Sequence, residues 1–283
     1  MSYRVLVEKV DDYEDVHQFI QKALNSFKLR FGLNFEQEEL IVKPNFLTYS
    51  DPAKGCITHP DVVKAVVNNL KDLDPIIAEG SWRRGGADKC FSAFDLHQHA
   101  QCINLNKEEL TRTRVNGRVL KEIEVAQTAL KAINNPFISL PKLKIHGIAG
   151  TTLGIKNNMG FIKKPAVYMH FSIHQKLIDL LKIFQPALTI IDGIVGGNVS
   201  ELYTKPIEHG VMIASDEVVA ADVVGSYLMG FNPADIGYLK IAFEELALTW
   251  DDIKIESSHN IDDLRKDYTL PFWSRALGSM RIV

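Results

Sequence analysis

Short apolar runs rich in β-branched residues alternate along the chain with longer segments in which apolar residues recur at helical spacing. Seven of the runs are predicted to be buried strands, over residues 3–10, 39–43, 75–79, 102–106, 137–144, 187–192 and 211–215. Between them, the apolar spacing predicts amphipathic helices over 62–73 and 173–184. The alternation favours βαβ units. It predicts an α/β fold with a largely parallel sheet and helices on both faces.

One segment departs from this alternation. Residues 111–115 and 118–125 flank Asn116-Gly117, and Asn-Gly accepts the positive φ angles of a two-residue turn. A β-hairpin is therefore predicted near Asn116-Gly117, which makes the strand content mixed. Because no linker or repeat marks a boundary, we expect a single α/β domain over 1–283, with two closely packed lobes, 1–135 and 136–283, as the alternative.

Charge and cysteine content narrow the classes of function. The 32 Lys and Arg against 35 Asp and Glu give a net charge of -3, so no overall positive field attracts nucleic acid or an anionic membrane. No signal-like or membrane-spanning apolar stretch is present, which predicts a cytoplasmic protein. Cys56, Cys90 and Cys102 are too few and too widely spaced for an intrinsic iron–sulfur cluster or a structural zinc site. The oligomeric state stays open.

Polar side chains stand where the predicted strands end. Lys43 ends the second strand, Glu79 the third and Asp192 the sixth. The carboxyl ends of parallel strands meet at one edge of a sheet, where ligands commonly bind. We therefore expect one anion-binding pocket there, whose substrate-binding residues are Lys43, Asn45, Thr58, Glu79, Ser81, Asn157 and Asp192.

Three candidate catalytic residues follow the fifth strand. Lys144 and His146 alternate in an extended segment, so both should point to one side, where mutual repulsion favours loss of a proton from each. Lys156 lies in the segment 154–160, whose glycines permit close approach of a ligand to the backbone. These residue types suit anion binding combined with proton transfer.

His59 is the fourth catalytic candidate. It precedes the helix predicted from residue 62, where free N–H groups attract an anion and the imidazole would supply a titratable donor. In the alternative interpretation Thr58 caps this helix in a capping box with Asp61, and His59 is incidental.

Three further motifs receive less weight. His170 and His174 are interpreted as a surface pair rather than as metal ligands, because the Glu of a zinc-protease motif is absent. The loop 82–86 either closes over a ligand through its arginines or stays exposed. The glycine-rich run 193–198 matches neither the dinucleotide fingerprint nor the P-loop, so neither NAD nor ATP is predicted.

The order of these motifs resembles the domain of unknown function 362 family over about residues 40 to 240. The motifs that carry the resemblance are Lys43-Pro44-Asn45, Thr58-His59-Pro60, Glu79-Gly80, 141–146, 156–160, Asp192-Gly193, Ala214-Ser215-Asp216 and Ala221-Asp222. The resemblance implies an α/β fold and often an association with iron–sulfur, ferredoxin-like segments. Since the clustered cysteines are missing here, a cluster would have to come from a partner chain. More distantly, the Lys/His layout is similar to the nickel-dependent lactate racemase fold, whose pocket handles a 2-hydroxy acid.

Together, these features predict an enzyme that binds a small carboxylated or phosphorylated metabolite in a Lys/His pocket and performs acid–base chemistry, such as racemisation, isomerisation or group transfer. A divalent metal held by Glu79 and Asp192 is an open part of this prediction, and no other cofactor is assigned. Two alternatives remain. One is a redox accessory protein that works with an iron–sulfur partner through Cys56, and the other is an anion-binding protein without catalysis.

Overall fold

A large sheet forms the centre of the molecule. The computed structural model describes residues 2–27, 40–82, 85–163 and 166–271. Within these stretches the strands are β1 (Tyr3–Lys9), β2 (Ile41–Pro44), β3 (Ile76–Glu79), β4 (Gln101–Asn104), β5 (Leu110–Arg114), β6 (Glu122–Ala126), β7 (Phe137–Leu140), β8 (Lys142–His146), β9 (Gly150–Thr152), β10 (Leu188–Asn198), β11 (Lys205–Ser215) and β12 (Ile253–Glu256).

The helices in the described stretches are α1 (Val16–Ser26), α2 (Pro60–Asn69), α3 (Gly86–Ala93), α4 (Gln127–Asn134), α5 (Gly154–Asn157), α6 (Ile173–Leu180), α7 (Val218–Leu228) and α8 (Gly237–Leu246). None of the helices in this part of the chain is long and apolar enough to cross a membrane.

The strand order of the main sheet is β12-β1-β11-β10-β7-β2-β3-β4. Every neighbouring pair from β10 to β4 is parallel, and so is β1 with β12. Strand β11 is antiparallel to both β1 and β10. The predicted largely parallel, mixed sheet is therefore confirmed. Strand β1, near the N-terminus, pairs with two strands from the C-terminal half of the chain.

Helices cover both faces of the sheet, as predicted. Successive residues of a strand belong to different apolar clusters: Ile190 packs with α1, α2 and α3, whereas Ile191 packs with α4, α6, α7 and α8. Because side chains alternate across a strand, the two clusters lie on opposite faces. The carboxyl ends of β2 and β3 lie between these layers, and polar residues gather there.

Three strand predictions need correction. The predicted strand 137–144 is divided at Pro141 into β7 and β8, because proline has no N–H to donate to a neighbouring strand. The strands predicted over 187–192 and 211–215 are longer, and β10 and β11 pair over most of their length. The glycine-rich run 193–198 therefore belongs to a strand. Residue 39 of the predicted strand 39–43 lies outside the described residues.

The predicted hairpin is formed by β5 and β6, but the expected two-residue turn at Asn116-Gly117 is wrong. Val115 donates its N–H to the carbonyl of Lys121 at 2.9 Å, so the tip lies further along the chain. The Asp179 carboxylate accepts the N–H groups of residues 118–120 at distances of 2.8, 2.8 and 2.7 Å. A buried acceptor from α6 thus holds the turn in a place that the local pattern did not indicate.

Candidate functional site

A cavity of about 430 Å³ lies at the carboxyl ends of β2 and β3, bordered by β8 and α5. Seven of the eleven predicted site residues line it: Lys43, Asn45, Glu79, Lys144, His146, Lys156 and Asn157. A larger depression of about 740 Å³ elsewhere is lined by apolar and aromatic side chains, with Arg265 as its one charged residue among those described. The smaller cavity is therefore the candidate functional site.

A buried ion pair closes the inner end of the cavity. Lys43 Nζ donates to both carboxylate oxygens of Glu79 at 3.1 Å. Burial lowers the pKa of Lys43, and the attraction of Glu79 opposes that change. Glu79 also accepts the backbone N–H groups of Phe46 at 3.0 Å and Gly80 at 2.7 Å. Since both members of the pair have all these partners within the protein, their first role is to hold the strand ends together.

The backbone of Gly160 covers this pair closely. A Cβ atom at Gly160 would lie 2.3 Å from Lys43 Nζ and from Glu79 Oε1, so any larger residue would have to displace the buried ion pair. Glycine permits this close approach of the backbone to the pair.

Two side-chain amides extend the polar wall. Asn157 Oδ1 accepts hydrogen bonds from Lys43 Nζ at 3.2 Å and from Asn45 Nδ2 at 3.1 Å, while its Nδ2 donates to Ser139 Oγ at 2.9 Å. Asn45 Oδ1 and Thr152 Oγ1 are buried and have no hydrogen-bond partner among the residues that the structure describes. Both belong to residues of the cavity lining, so a bound ligand could satisfy them.

Lys144 lies on the β8 side of the cavity. Its Nζ donates to the backbone carbonyl of Cys56 at 2.6 Å, and burial lowers the pKa of the lysine. The loop that contains Cys56 is held against β10 through backbone: a Cβ atom at Gly197 would lie 2.4 Å from the carbonyl oxygen of Gly55 and 2.9 Å from Lys144 Cβ.

His146 presents a single ring nitrogen to the cavity. Its Nδ1 accepts the backbone N–H groups of Ile148 at 3.2 Å and Ala149 at 3.0 Å. A nitrogen that accepts two N–H groups carries no proton, so in the neutral ring Nε2 holds it. Burial, followed by repulsion from Lys156, places the pKa of His146 well below its usual value. His146 is therefore a neutral hydrogen-bond donor through Nε2.

Lys156 differs from the other two lysines of the cavity. It lies on α5 and is partly buried, and in the described part of the chain no hydrogen bond or ion pair engages its ammonium group. Burial, followed by repulsion from Lys144, lowers the pKa of Lys156 to about 8. This lysine is thus charged and available near neutral pH, and it loses its proton more readily than an ordinary lysine.

Asp222 fixes the helix that carries Lys156. Its carboxylate accepts the backbone N–H groups of Gly154 at 2.7 Å and Ile155 at 3.0 Å, and the hydroxyl of Tyr238 at 3.2 Å. Burial raises the pKa of Asp222 to about 7, although these two amides oppose the change. The Ala221-Asp222 motif therefore orients α5 from α7.

Sequence reasoning missed several lining residues. Glu201 follows β10, accepts the N–H of Gly147 at 3.1 Å, and places Oε1 4.0 Å from His146 Nε2. His170 stacks on His146 with ring centroids 5.9 Å apart and lines the cavity, so its interpretation as part of a surface pair is wrong. Glu201 lies in an irregular segment and His170 ends a one-turn 3-10 helix, Val167–His170, and neither segment is long enough to give a periodic pattern. Trp82 of the predicted closing loop lines the cavity, whereas Arg83 and Arg84 lie outside the described residues.

Four predicted site residues, Thr58, His59, Ser81 and Asp192, do not line the cavity. Asp192 Oδ2 accepts hydrogen bonds from Lys142 Nζ and from the backbone N–H of His59, both at 2.8 Å. The ring of His59 stacks on Tyr13 with centroids 3.6 Å apart. Asp192, Lys142, His59 and Tyr13 therefore form a polar cluster that is separate from the cavity.

Thr58 and Ser81 bind backbone. The Thr58 hydroxyl donates to the carbonyl of Leu140 at 2.6 Å, and the Ser81 hydroxyl donates to that of Phe46. The N-cap of α2 is His59, whose Nδ1 accepts the N–H of Asp61 at 3.3 Å. The alternative in which Thr58 caps this helix is therefore wrong.

The arrangement of acids and imidazoles bears on the open question of a metal. Glu79 pairs with Lys43, and Asp192 pairs with Lys142 in the other cluster. Among the described residues, no group of three His, Cys, Asp or Glu side chains is placed to hold a metal ion. The cavity lining combines three lysines, two glutamates, two asparagines and the imidazoles of His146 and His170.

These features define an α/β protein with a lysine-rich cavity at the carboxyl ends of its parallel strands. The chain belongs to the family described as Domain of unknown function (DUF362), whose family model matches residues 40–227. It is also similar to the thylakoid-associated protein sll1697 of Synechocystis sp., with 28% identity over 217 residues. That alignment covers 70% of this chain and 65% of the relative, so the chain spans slightly less than two thirds of the relative's length.

Proposed function

We propose that the chain is a cytoplasmic enzyme that binds a small carboxylated or phosphorylated metabolite in the cavity and transfers a proton on it. One observation carries this proposal: Lys156 lines the cavity without an ion-paired partner in the described residues, and its pKa is lowered to about 8. A cation without a counterion attracts an anion, and a pKa near the working pH suits proton transfer.

The charge of the lining supports anion binding. Three lysines and two glutamates line the cavity, which leaves an excess of one positive charge. Lys43 is paired with Glu79, and Lys144 donates to a backbone carbonyl. Lys156 is therefore the group that an incoming carboxylate or phosphate meets without having to displace a protein partner.

The positions of Lys156 and His146 support acid–base chemistry next to a carbonyl. At pH 7, about one in ten Lys156 side chains would be neutral, given a pKa of about 8, and able to take a proton from carbon. The bonding pair of that C–H would move into a new C=C bond, and the carbonyl oxygen would gain negative charge. His146 Nε2–H would donate a hydrogen bond to this oxygen. Racemisation and isomerisation use this step.

Deuterium exchange tests the proposal directly. The chain would be incubated in D₂O with pyruvate, 2-oxobutyrate or L-lactate, and loss of the proton signal next to the carbonyl or carboxylate would be followed by NMR. We expect exchange with the wild-type chain and at least a hundredfold slower exchange with Lys156→Met, a loss on the scale of general acid–base catalysis, about 10²–10⁴-fold. Lys240→Met, an exposed substitution on α8, is the matched control.

The same experiment separates catalysis from binding alone. If an acid binds with an affinity that depends on Lys156 but is recovered without exchange, the chain is an anion-binding protein and the enzyme proposal fails. If Lys156→Met changes neither binding nor exchange, the whole proposal fails. The iron–sulfur alternative has no comparable support, because the Cys56 thiol is buried and donates to the carbonyl of Glu201 at 3.3 Å.

The cytoplasmic location is part of the proposal. Support comes from the free thiols of Cys56, Cys90 and Cys102, which suit a reducing compartment. The name of the similar protein raises association with a membrane as the other location. Cell fractionation with an antibody to the chain would decide between the two: recovery in the membrane pellet after a high-salt wash would contradict the proposal.

A further inference from the structure

The most exposed side chains of the cavity lining are apolar. The polar members Lys43, Glu79, Lys144, His146 and Asn157 are buried. At the mouth, Trp82, Ile148 and Val167 are 40%, 36% and 57% exposed. Met159 and Ala166 are buried apolar members of the same lining, and Leu47 and Leu202 are half-buried. The most exposed part of the lining, at the mouth, is therefore apolar, whereas the buried part is mostly polar and Lys156, His170 and Glu201 lie between the two.

Contact with water alone would favour the opposite arrangement, with polar side chains at the exposed mouth and apolar side chains at the buried end. Each Å² of apolar surface left in water costs about 25 cal/mol relative to burial, and charged groups are most stable at the wet end of a pocket. Single exposed apolar residues are ordinary. Here, however, three of them border the same cavity whose inner wall holds lysines and amides, so a ligand that complements both regions would have to be polar at one end only.

We propose that the ligand is an amphipathic anion, with a carboxylate or phosphate head at Lys156 and an apolar body against Ile148, Val167 and Trp82. This inference rests on the proposed function and adds the class of the ligand. The head would reach Lys156 and the unsatisfied Asn45 Oδ1 and Thr152 Oγ1, which suits a head that also bears a hydroxyl or N–H donor. A volume of about 430 Å³ is large enough for a small ligand of this kind, since small-molecule sites measure about 300–1,000 Å³.

A series of straight-chain carboxylates tests the apolar part of the inference. Acetate, butyrate, hexanoate and octanoate would be titrated calorimetrically into the full chain at pH 7, each below its micellar concentration. We expect the affinity to rise about fourfold for each methylene that becomes buried. The rise should stop once the tail extends beyond the mouth.

Two variants separate the head from the tail. Lys156→Met should weaken every member of the series by a similar factor and leave the increments between members intact. Val167→Ser should leave acetate unchanged and reduce the gain between butyrate and octanoate at least threefold. Leu246→Ser, at an apolar residue of α8 that is exposed and does not line the cavity, should change neither.

The source of such an anion is tested in a second arm. Vesicles of an anionic phospholipid would be offered in place of the free acids, and co-sedimentation that Val167→Ser abolishes would assign the ligand to a membrane. Binding in the solution arm alone would assign a free acid. Both results support the amphipathic class.

Two outcomes would count against the inference in different ways. Equal affinity for acetate and octanoate, with loss of both in Lys156→Met, would overturn the amphipathic ligand and leave the small-anion proposal standing. A length-dependent affinity that Lys156→Met does not lower would overturn the anion site itself, and with it the head position.

Discussion

His146 Nε2 and Glu201 Oε1 face each other at 4.0 Å on one wall of the cavity, too far apart for a hydrogen bond. Glu201 is also the one carboxylate of the described lining that is not paired with a lysine. It therefore opposes an incoming anion, while His146 Nε2–H favours it. The balance between these two groups should set the affinity for a carboxylate.

We predict that Glu201→Gln tightens carboxylate binding by about 1.4- to fivefold. The side chain is partly exposed, so removal of its charge is worth about 0.2–1 kcal/mol. The glutamine oxygen can still accept the N–H of Gly147. Titration calorimetry with butyrate measures the change, and Glu208→Gln, at an exposed residue of β11, is the control. An unchanged or weaker affinity would place the anion away from Glu201.

The pH dependence of binding should follow Lys156. Its pKa is lowered to about 8, so the ammonium form that attracts the anion is present below pH 8 and is lost as the pH rises. For butyrate, which does not titrate in this range, the affinity should be about tenfold weaker at pH 9 than at pH 7, because one proton is lost. Lys156→Arg should remove this dependence, since arginine stays charged. A profile that is flat in the wild-type chain would exclude Lys156 as the anion-binding group.

Breaking the buried pair between Lys43 and Glu79 should be costly for folding. Lys43→Met leaves the Glu79 charge buried without its partner, which should lower the free energy of unfolding by about 3–5 kcal/mol. The double variant with Glu79→Gln should recover part of this loss. Urea unfolding measures both.

The exposed pair between Lys163 and Glu124 provides the comparison, because its removal should cost less than about 1 kcal/mol. If Lys43→Met proves as mild as Lys163→Met, the buried pair does not hold the strand ends as the structure suggests.

Asp192 should matter for stability and not for ligand affinity. Asp192→Asn leaves the buried Lys142 ammonium without a carboxylate, so we expect a loss of about 3–5 kcal/mol in urea unfolding. Butyrate affinity, measured on the folded fraction at low temperature, should stay within twofold of wild type, because Asp192 does not line the cavity. Normal stability combined with lost binding would show that this second cluster belongs to the ligand site after all.

The sequence indicated one edge of the sheet but could not separate the cavity from the second polar cluster at that edge. Strand ends alone indicate Lys43, Glu79 and Asp192 with equal strength. Alternation within β10 places Asp192 on the same face as Ile190, which packs against α1, α2 and α3. Its partners Tyr13 and His59 also lie on that side. Alternation does not decide which cluster a residue joins, because Lys142 binds Asp192 and Lys144 lines the cavity although both lie on the same side of β8. The assignment depends on the loops and helices that pack around this edge, which strand patterns do not contain.

The role of each cavity residue depended on partners from distant parts of the chain. The Lys144-Ile145-His146 segment was recognised from its alternation, and these two polar residues do share the cavity. That His146 is a donor follows from its contacts with the backbone of residues 148 and 149, a local turn without a distinctive pattern. Glu201 comes from an irregular segment and His170 from a single 3-10 turn, so neither could be placed without the fold.

The contact between Gly55 and Gly197 has a consequence for how the chain tolerates substitution. The two main chains touch directly, so even a methyl group at position 197 would collide with the carbonyl of Gly55 and with Lys144 Cβ. No rotamer change can relieve a clash with backbone. The neighbouring Cys56 carbonyl accepts the hydrogen bond of Lys144. The direct contact between the two main chains at Gly55 and Gly197 therefore fixes the position of the Lys144 ammonium group. Residues without any functional group are therefore as restricted here as the lysines whose chemistry they position.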